Sequence, residues 1–357
     1  MKSLITLVIA IIISVLTVSA QDEAKVSFSG YLESYYGYDY NKPVDNKRPG
    51  FVYSHNRHNE INLNLGFIKG AYNDRTVRAN LAFMAGTYSN ANLAAEPGVL
   101  KNIFEANAGL KLSKTSNLWL EAGIFASHIG FESAISQDCW VLTRNIVSDN
   151  TPYYESGAKI NYTTPDNKFT ASGLYLNGWQ RIQRQSGNSQ PAGGLQLTYR
   201  PNDKITLNYS NYVGTEGEDA LRVRRFYNNL YGIVQITDAF GITAGFDYGT
   251  QQKSRASNET NEVFSPVLIA QYKFNPKWAL AGRFEYYEDA NGVIISTGTP
   301  NGFQTRGYSA NVDYWPVYNA ALRLEGKIID SKDKIFVRER NHVNHNATVT
   351  ASIAVSF

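Results

Sequence analysis

Cysteine is almost absent from this sequence of 357 residues, since Cys139 is the only one. A single cysteine cannot form an internal disulfide, so no disulfide framework is predicted. Long apolar runs are scarce as well: after residue 20, no segment has the roughly twenty apolar residues that a membrane-spanning helix needs. If this protein lies in a membrane, it must therefore cross with strands that close into a barrel.

Neither sign of charge dominates the chain. Without the first 20 residues, which contain only Lys2 as a charged side chain, 33 Lys and Arg face 31 Asp and Glu, a net charge of +2. A nearly neutral chain gives no electrostatic support for a nucleic-acid partner. No linker, charge block or change in composition divides residues 21–357, which we interpret as a single domain.

The N-terminus, residues 1–20, has the parts of a secretory signal peptide. Lys2 supplies a basic start, an apolar run extends from Leu4 to Val18, and small residues up to Ala20 form the exit. The run of about fifteen residues is short for a membrane anchor, which is the alternative interpretation. The sequence therefore predicts export, with cleavage after Ala20.

What the chain does contain is a long series of alternating apolar and polar residues. In the last ten residues, for example, one face is apolar up to Phe357 and the other is small or polar. About sixteen such stretches follow one another, separated in turn by short breaks and long polar segments. This rhythm predicts an all-β fold, a transmembrane antiparallel β-barrel of about 16 strands with short periplasmic turns and long external loops.

A soluble β-sandwich or propeller would show the same alternation. The strand faces opposite the apolar ones distinguish such a soluble fold from a membrane barrel. These faces carry charges in mid-strand, which a dry core would reject and a water-filled lumen would accept. They are Glu33, Arg78, Glu105, Lys111, Glu121, Lys159, Asp247, Arg283, Arg323 and Glu325. In the second strand, the predicted lipid-facing residues are Ile61, Leu63, Leu65 and Phe67.

The segment after the fifth strand carries a resemblance to a known family. It contains Ile129-Gly130-Phe131-Glu132-Ser133-Ala134, then Trp140-Val141-Leu142-Thr143-Arg144, then Asp149-Asn150-Thr151-Pro152-Tyr153-Tyr154-Glu155-Ser156-Gly157. With the strand rhythm and the terminal Phe357, it resembles the OmpL-like outer-membrane β-barrel porins. The resemblance implies a passive diffusion channel for small hydrophilic solutes or ions in the bacterial outer membrane. It also suggests contact with outer-membrane lipid, a homotrimer and no cofactor.

The longest predicted loop is residues 128–153, which is too long to be a simple connection. Its apolar residues indicate that it packs against something, and an inward fold would bury them in the lumen. An external cap or a contact with a neighbouring subunit is the alternative. If the loop narrows the pore, the predicted constriction residues are Glu132, Asp138, Arg144 and Asp149.

Rings of charge set the selectivity of a pore. The predicted lumen charges mix both signs and are Arg225, Arg283, Glu285, Arg323, Glu325 and Lys327. The one group of a single sign comprises Arg181, Arg184, Arg222, Arg224 and Arg225. It could draw anions inward, or form a solvated rim that binds lipid headgroups or counterions. Aromatic residues near strand ends, Trp278, Trp315 and Phe357, are predicted to anchor the barrel at the membrane interface.

No catalytic or metal-binding pattern stands out. The pairs His55/His58 and His342/His345 lie in predicted loops without a surrounding carboxylate pattern, so no metal site is predicted. Cys139 has no histidine base beside it. The alternative function is an outer-membrane adhesin, a structural protein or an enzyme on the same barrel, and an enzyme would need converging catalytic groups.

Overall fold

The computed structural model describes residues 25–357, so the predicted signal peptide and its cleavage site lie outside the described residues. Sixteen antiparallel strands close into one barrel, with β1 paired to β2 on one side and to β18 on the other. The barrel strands are β1 (Val26–Asp39), β2 (Ile61–Asn73), β3 (Val77–Ala85), β4 (Ile103–Lys111), β5 (Asn117–Ala126), β6 (Tyr154–Thr163), β7 (Phe169–Leu176), β8 (Ala192–Asn202), β9 (Ile205–Glu216), β10 (Val223–Gln235), β11 (Phe240–Gln252), β12 (Thr260–Asn275), β13 (Trp278–Asp289), β14 (Phe303–Val317), β15 (Ala320–Ser331) and β18 (His345–Ser356). The predicted fold class and strand number are confirmed.

Short turns and long loops occupy opposite ends of the barrel, as predicted. The turns share their end with both ends of the described chain, which makes it the periplasmic end. The external loops used below are loop 1 (40–60), loop 2 (86–102), loop 3 (127–153), loop 4 (177–191), loop 7 (290–302) and loop 8 (332–344).

Three of these loops contain regular structure. Loop 2 includes the helix α1 (Thr87–Asn92), and loop 3 includes the one-turn helix α2 (Ile146–Asp149). Loop 8 contains a small hairpin of β16 (Phe336–Arg338) and β17 (Asn341–Val343). Among residues 25–357, no helix is long and apolar enough to cross a membrane.

The two faces of the barrel wall differ in chemistry because successive side chains of a strand point to opposite sides. Large apolar residues such as Leu230, Phe246 and Leu268 are exposed on the outside. Their polar neighbours Asn229 and Asp247 point inward and are buried. This is the inside-out arrangement of a barrel in lipid, with an apolar band around a polar interior.

The predicted orientation of β2 is wrong in its lower half. Leu65 is fully buried and Phe67 packs on the inward Tyr31 with ring centroids 5.9 Å apart, whereas Ile68 is exposed outside. The cause is a bulge: the register between β1 and β2 shifts so that Asn64 is skipped, and every later residue changes face. An unbroken alternation cannot reveal where such an extra residue lies.

The barrel closes where the end of the chain meets β1. Gly30 N–H donates to the Phe357 carbonyl at 2.7 Å, and Phe357 N–H donates to the Gly30 carbonyl at 3.0 Å. The Phe357 ring lies over Gly30 so closely that a Cβ there would be 2.3 Å from Cζ of the ring. A side chain at position 30 would therefore have to displace the Phe357 ring.

Candidate functional site

Strands β13, β14 and β15 carry charged side chains on their inward faces. Asp313 and Arg323 are directly opposed on neighbouring strands. The long side chains of β13 and β15 reach each other across Gly307 and Ser309, the small inward residues of β14. The resulting ion pairs are Arg283–Glu325 at 3.1 Å, Lys327–Glu285 at 2.8 Å and Arg323–Asp313 at 2.6 Å. All of these side chains are buried, although they point into the lumen.

Loop 3 covers these charges from inside the barrel. Its backbone is mostly irregular, so its N–H and C=O groups need partners outside the loop. Glu325 accepts a hydrogen bond from Thr143 N–H at 2.5 Å, and Arg283 donates to the Thr143 carbonyl at 2.6 Å. Lys327 donates to the Arg144 carbonyl at 3.1 Å. The wall charges therefore hold the loop in place.

The remaining wall charges bind the same loop. Arg323 donates to the carbonyls of Ser136 and Cys139, and Glu285 accepts from Ile146 N–H. Five of the six predicted lumen charges, all except Arg225, thus lie beneath loop 3 and contact its backbone. These five charged side chains bind the backbone of loop 3. The loop in turn supplies the partners without which a buried charge would not be tolerated.

Arg144, a predicted constriction residue, points into loop 3 itself. Its guanidinium donates to the carbonyls of Ser133, Ala134 and Leu142 at 2.5–3.1 Å, and the side chain is 1% exposed. A guanidinium has five N–H donors in a rigid fork, which suits it to joining several carbonyls of a folded loop. Arg144 therefore joins two separate parts of loop 3 to each other.

The three predicted constriction acids have different surroundings. Glu132 is buried and accepts from the Asn145 backbone N–H at 2.6 Å, and Asp149 is buried and accepts from Ser54 Oγ at 3.0 Å. Burial raises the pKa of both carboxyls above the usual range. Asp138 alone is exposed. The structure thus brings Glu132 and Arg144 together in the loop and leaves Asp138 apart.

Loop 1 also folds into the lumen and meets loop 3 at Asp149 and again at a carboxylate of the wall. Glu33, fully buried on β1, accepts from Ser136 Oγ of loop 3 at 2.5 Å and lies 3.2 Å from His55 Nε2 of loop 1. Asn64 Nδ2 donates to its other oxygen at 2.8 Å. One inward carboxylate therefore joins two loops to the wall.

The opposite wall, β2 to β6, carries charges that loop 3 does not cover. The ion pairs there are Lys69–Glu105 at 2.6 Å, Arg78–Glu121 at 2.7 Å and Lys159–Glu121 at 3.4 Å. The side chains of Lys69, Arg78 and Lys159 are 25–27% exposed, in contrast to the buried cations of β13 to β15. Water therefore reaches this side of the lumen.

Two cavities lie on either side of loop 3. An outer cavity of about 310 Å³ lies among loops 1, 2, 3, 4 and 7, and its lining includes Asn150 and Arg181. An inner cavity of about 280 Å³ is lined by Glu105, Tyr231 and the two ends of loop 3. Asn150 lines the outer cavity and Tyr153 the inner one, so residues 150–153 form the partition between them.

Residues that the sequence interpretation missed brace this partition. Gln180 of loop 4 accepts from Tyr153 N–H at 3.0 Å and donates to the Asn92 carbonyl of loop 2 at 3.1 Å. The Tyr88 ring packs edge-on against Tyr153 at 5.6 Å. The aromatic residues of loops 2 and 3 are the one feature of the sequence that could have indicated this packing between the loops. Nothing in the sequence indicates that a lone Gln180 would join three loops.

The two histidine pairs and Cys139 have surroundings that suit a structural role. His58 accepts from Asp39 N–H at 2.9 Å, and His345 lies 2.6 Å from Asp330. Within the described part of the chain, no group of three or more His, Cys, Asp or Glu could hold a metal. Cys139 is buried, and burial raises the pKa of its thiol to about 11, the opposite of what an activated thiolate needs.

Solved structures with the same fold are outer-membrane channels. An anion-selective porin from Comamonas acidovorans aligns with a TM-score of 0.61 at 10% identity, covering 94% of this chain and 100% of that one. The outer-membrane channel DcaP of Acinetobacter baumannii aligns with a TM-score of 0.60 at 11% identity, covering 95% and 99%. The trimer form of OmpT, an outer-membrane protein of Vibrio cholerae, aligns with a TM-score of 0.59 at 11% identity, covering 94% and 100%. At these identities, the likeness establishes the fold alone.

A closed barrel of sixteen strands, apolar outside and charged inside, with a long loop folded against its inner wall, defines the class of outer-membrane porins. The family model described as "Putative beta-barrel porin-2, OmpL-like" matches residues 25–357, and the chain belongs to this family. No protein of curated function matches the sequence. The predicted family and the outer-membrane location are confirmed, and membership points to a channel rather than an enzyme.

Proposed function

We propose that this porin lets small hydrophilic solutes or ions diffuse passively past loop 3. The observation that supports this is the division of the lumen. Loop 3 is hydrogen-bonded onto β13 to β15, while half-buried charges such as Lys69 and Glu105 line the opposite side. Solutes would pass from the outer to the inner cavity beside residues 150–153.

The constriction residues have divided roles in this proposal. Glu132, Arg144 and Asp149 stabilise the shape of loop 3, because their polar atoms are bonded within the protein. Asp138 is exposed and can meet solutes directly. The inward charges that solutes meet on the wall have both signs, so we expect modest charge selectivity in simple salts.

Single-channel recording in a planar bilayer tests the proposal. Steady conducting steps in potassium chloride, with a small reversal potential under a salt gradient, are the expected result. A protein that is folded, as shown by heat-modifiable mobility on gels, but silent at all voltages would contradict it. Loop 3 would then be a plug, and the adhesin or structural alternative would become the better interpretation.

We further propose that the barrel assembles as a homotrimer through β3 to β6. Four outward alanines lie side by side on these strands, Ala79, Ala108, Ala122 and Ala158. Small side chains let two walls approach closely in a membrane. These strands have only 9–10 residues, whereas β12 has 16, so the barrel wall is lower on this side. A neighbouring subunit would cover this lower part of the wall. The solved OmpT structure of the same fold is described as a trimer.

Light scattering of the protein in detergent, with two matched variants, tests the assembly. Ala108→Trp should give monomers because its side chain would hold two walls apart. Ala310→Trp, on the outward face of β14 far from this patch, should leave the trimer intact. A monomeric wild-type protein would contradict the proposal.

A further inference from the structure

The outer cavity contains one cation whose hydrogen-bond donors have no partner among the described residues. Its charged lining side chains are Arg181, Arg225 and Asp149. Among the residues that the structure describes, the Arg181 guanidinium makes no hydrogen bond and no ion pair within 4 Å, and the Glu216 carboxylate attracts it only from a longer distance. A half-buried guanidinium with five donors and no acceptor is a site at which an anion can bind.

The other two charges are already satisfied. Arg225 donates to Gln251 Oε1 at 2.6 and 3.0 Å and to the Val293 carbonyl at 3.1 Å, and lies 3.5 Å from Glu216. Asp149 accepts hydrogen bonds from Ser54 Oγ and from the Tyr53 backbone N–H. Arg181 therefore supplies the free charged donors of the cavity.

The rest of the lining mixes polar and apolar side chains, and Trp179 gives it an aromatic surface. Trp179 lies under the Arg225 guanidinium at 5.1 Å, and the rings of Tyr212 and Tyr227 pack edge-on against it at 5.0 and 4.9 Å. The apolar side chains of Val293 and Ile294 in loop 7 and of alanines in loop 2 lie beside the polar Asn92, Asn150 and Gln180. A cavity of about 310 Å³ with an apolar patch next to polar groups is at the small end of ligand-binding pockets.

From this geometry we infer that the outer cavity binds small organic carboxylates with an apolar body, with the carboxylate on Arg181 and the body against Trp179. An inorganic anion would use Arg181 and gain nothing from Trp179 and its apolar neighbours, so it would bind less well. The inference rests on the proposed diffusion channel, because solutes on that path would cross this cavity.

Arginine substitutions test the charged half of the site. Butyrate should reduce the potassium chloride current at millimolar concentrations, and its uncharged analogue butyramide should do so far less. Arg181→Ala should weaken the butyrate effect on the order of tenfold, as expected for loss of a charge-assisted hydrogen bond. Arg184→Ala is the matched control, since Arg184 lies in the same loop but donates to the Ser189 carbonyl outside the cavity.

The apolar half is tested by chain length and by Trp179. From acetate to butyrate to hexanoate, affinity should rise about two- to fourfold per methylene that becomes buried. Trp179→Ala should flatten this trend and leave the acetate effect nearly unchanged. Equal effects of Arg181→Ala and Arg184→Ala, or no dependence on chain length, would overturn the inference.

Calorimetric titration of butyrate into the detergent-solubilised protein separates this inference from the proposed function. Binding that Arg181→Ala abolishes, in a protein that never conducts, would support the site and contradict the diffusion channel. Steady conductance with neither butyrate binding nor butyrate block would retain the channel and overturn the site.

Discussion

At the scale of single residues, His128 is the side chain whose charge state most directly affects the start of loop 3. It follows β5 by two residues, and its Nε2–H donates to the Asn211 carbonyl at 2.8 Å. The ring lies against Gly194, where a Cβ would be 2.4 Å from Nε2. Burial first, and the nearby Lys159 ammonium in addition, lower its pKa to about 4.

This depressed pKa predicts that acid weakens the fold. His128 is neutral when folded, while the unfolded chain takes up a proton near pH 6.5. Stability is therefore complete above pH 6.5 and falls as pH drops toward 4, by about 3 kcal/mol in total. Urea unfolding followed by tryptophan fluorescence at several pH values measures the loss. His128→Gln should remove this component, and an unchanged pH profile in that variant would contradict the assignment.

At the scale of elements, loop 3 and the β13 to β15 wall form one unit. The wall supplies charged side chains and the loop supplies backbone groups that have no partner of their own. Neither half is stable alone, because removing one partner leaves a buried charge or an unpaired backbone group.

Cutting one attachment should therefore loosen the loop. In Glu325→Ala, both Arg283 and the Thr143 N–H lose an acceptor, and we expect a loss of about 3–5 kcal/mol in unfolding free energy with larger current fluctuations. Asp330→Ala is the control on the same strand, because the Asp330 side chain is exposed and pairs with His345, which lies outside loop 3. Quiet, unaltered currents in Glu325→Ala would show that the loop is held otherwise.

The partition between the cavities gives a second prediction at this scale. Tyr153 fills the space between loop 3 and Tyr88, so Tyr153→Ala should join the two cavities and raise single-channel conductance. Tyr175→Ala removes the same side chain from the outward face of β7 and should leave conductance unchanged. A conductance that is equal in both variants would place the narrowest point of the pore elsewhere.

At the scale of the whole molecule, closure of the barrel depends on the contact between β1 and the end of the chain. The Phe357 ring occupies the space above Gly30, and a side chain there would displace it. Moving the ring would strain the two backbone hydrogen bonds between Gly30 and Phe357, with which the pairing of β1 and β18 begins.

Refolding into detergent tests this closure. Gly30→Val should lower the yield of folded, heat-modifiable barrel by severalfold, since its Cβ would lie 2.3 Å from the Phe357 ring. Gly326→Val is the control, because no atom lies within 4 Å of the Cβ position in that barrel strand. Equal refolding of the two variants would argue against a role for the Gly30–Phe357 packing.

The barrel itself could be predicted from the sequence because its determinants are local. Alternation of side chains sets the two faces, and alternating short and long breaks set the strand count and the two ends. The error in β2 shows the limit of such reasoning, since one bulge residue, Asn64, reverses the faces of Leu65 and Phe67.

The sequence by itself determined that this is an exported barrel with a charged interior, because those features depend on neighbouring residues. Only the tertiary structure decided what the charges do. The bond between Glu325 and Thr143 joins residues 182 positions apart, and of the arginine group only Arg181 and Arg225 line the outer cavity. Which inward charge meets a loop and which meets water depends on the path of loop 3 through the lumen, and no local pattern encodes that path.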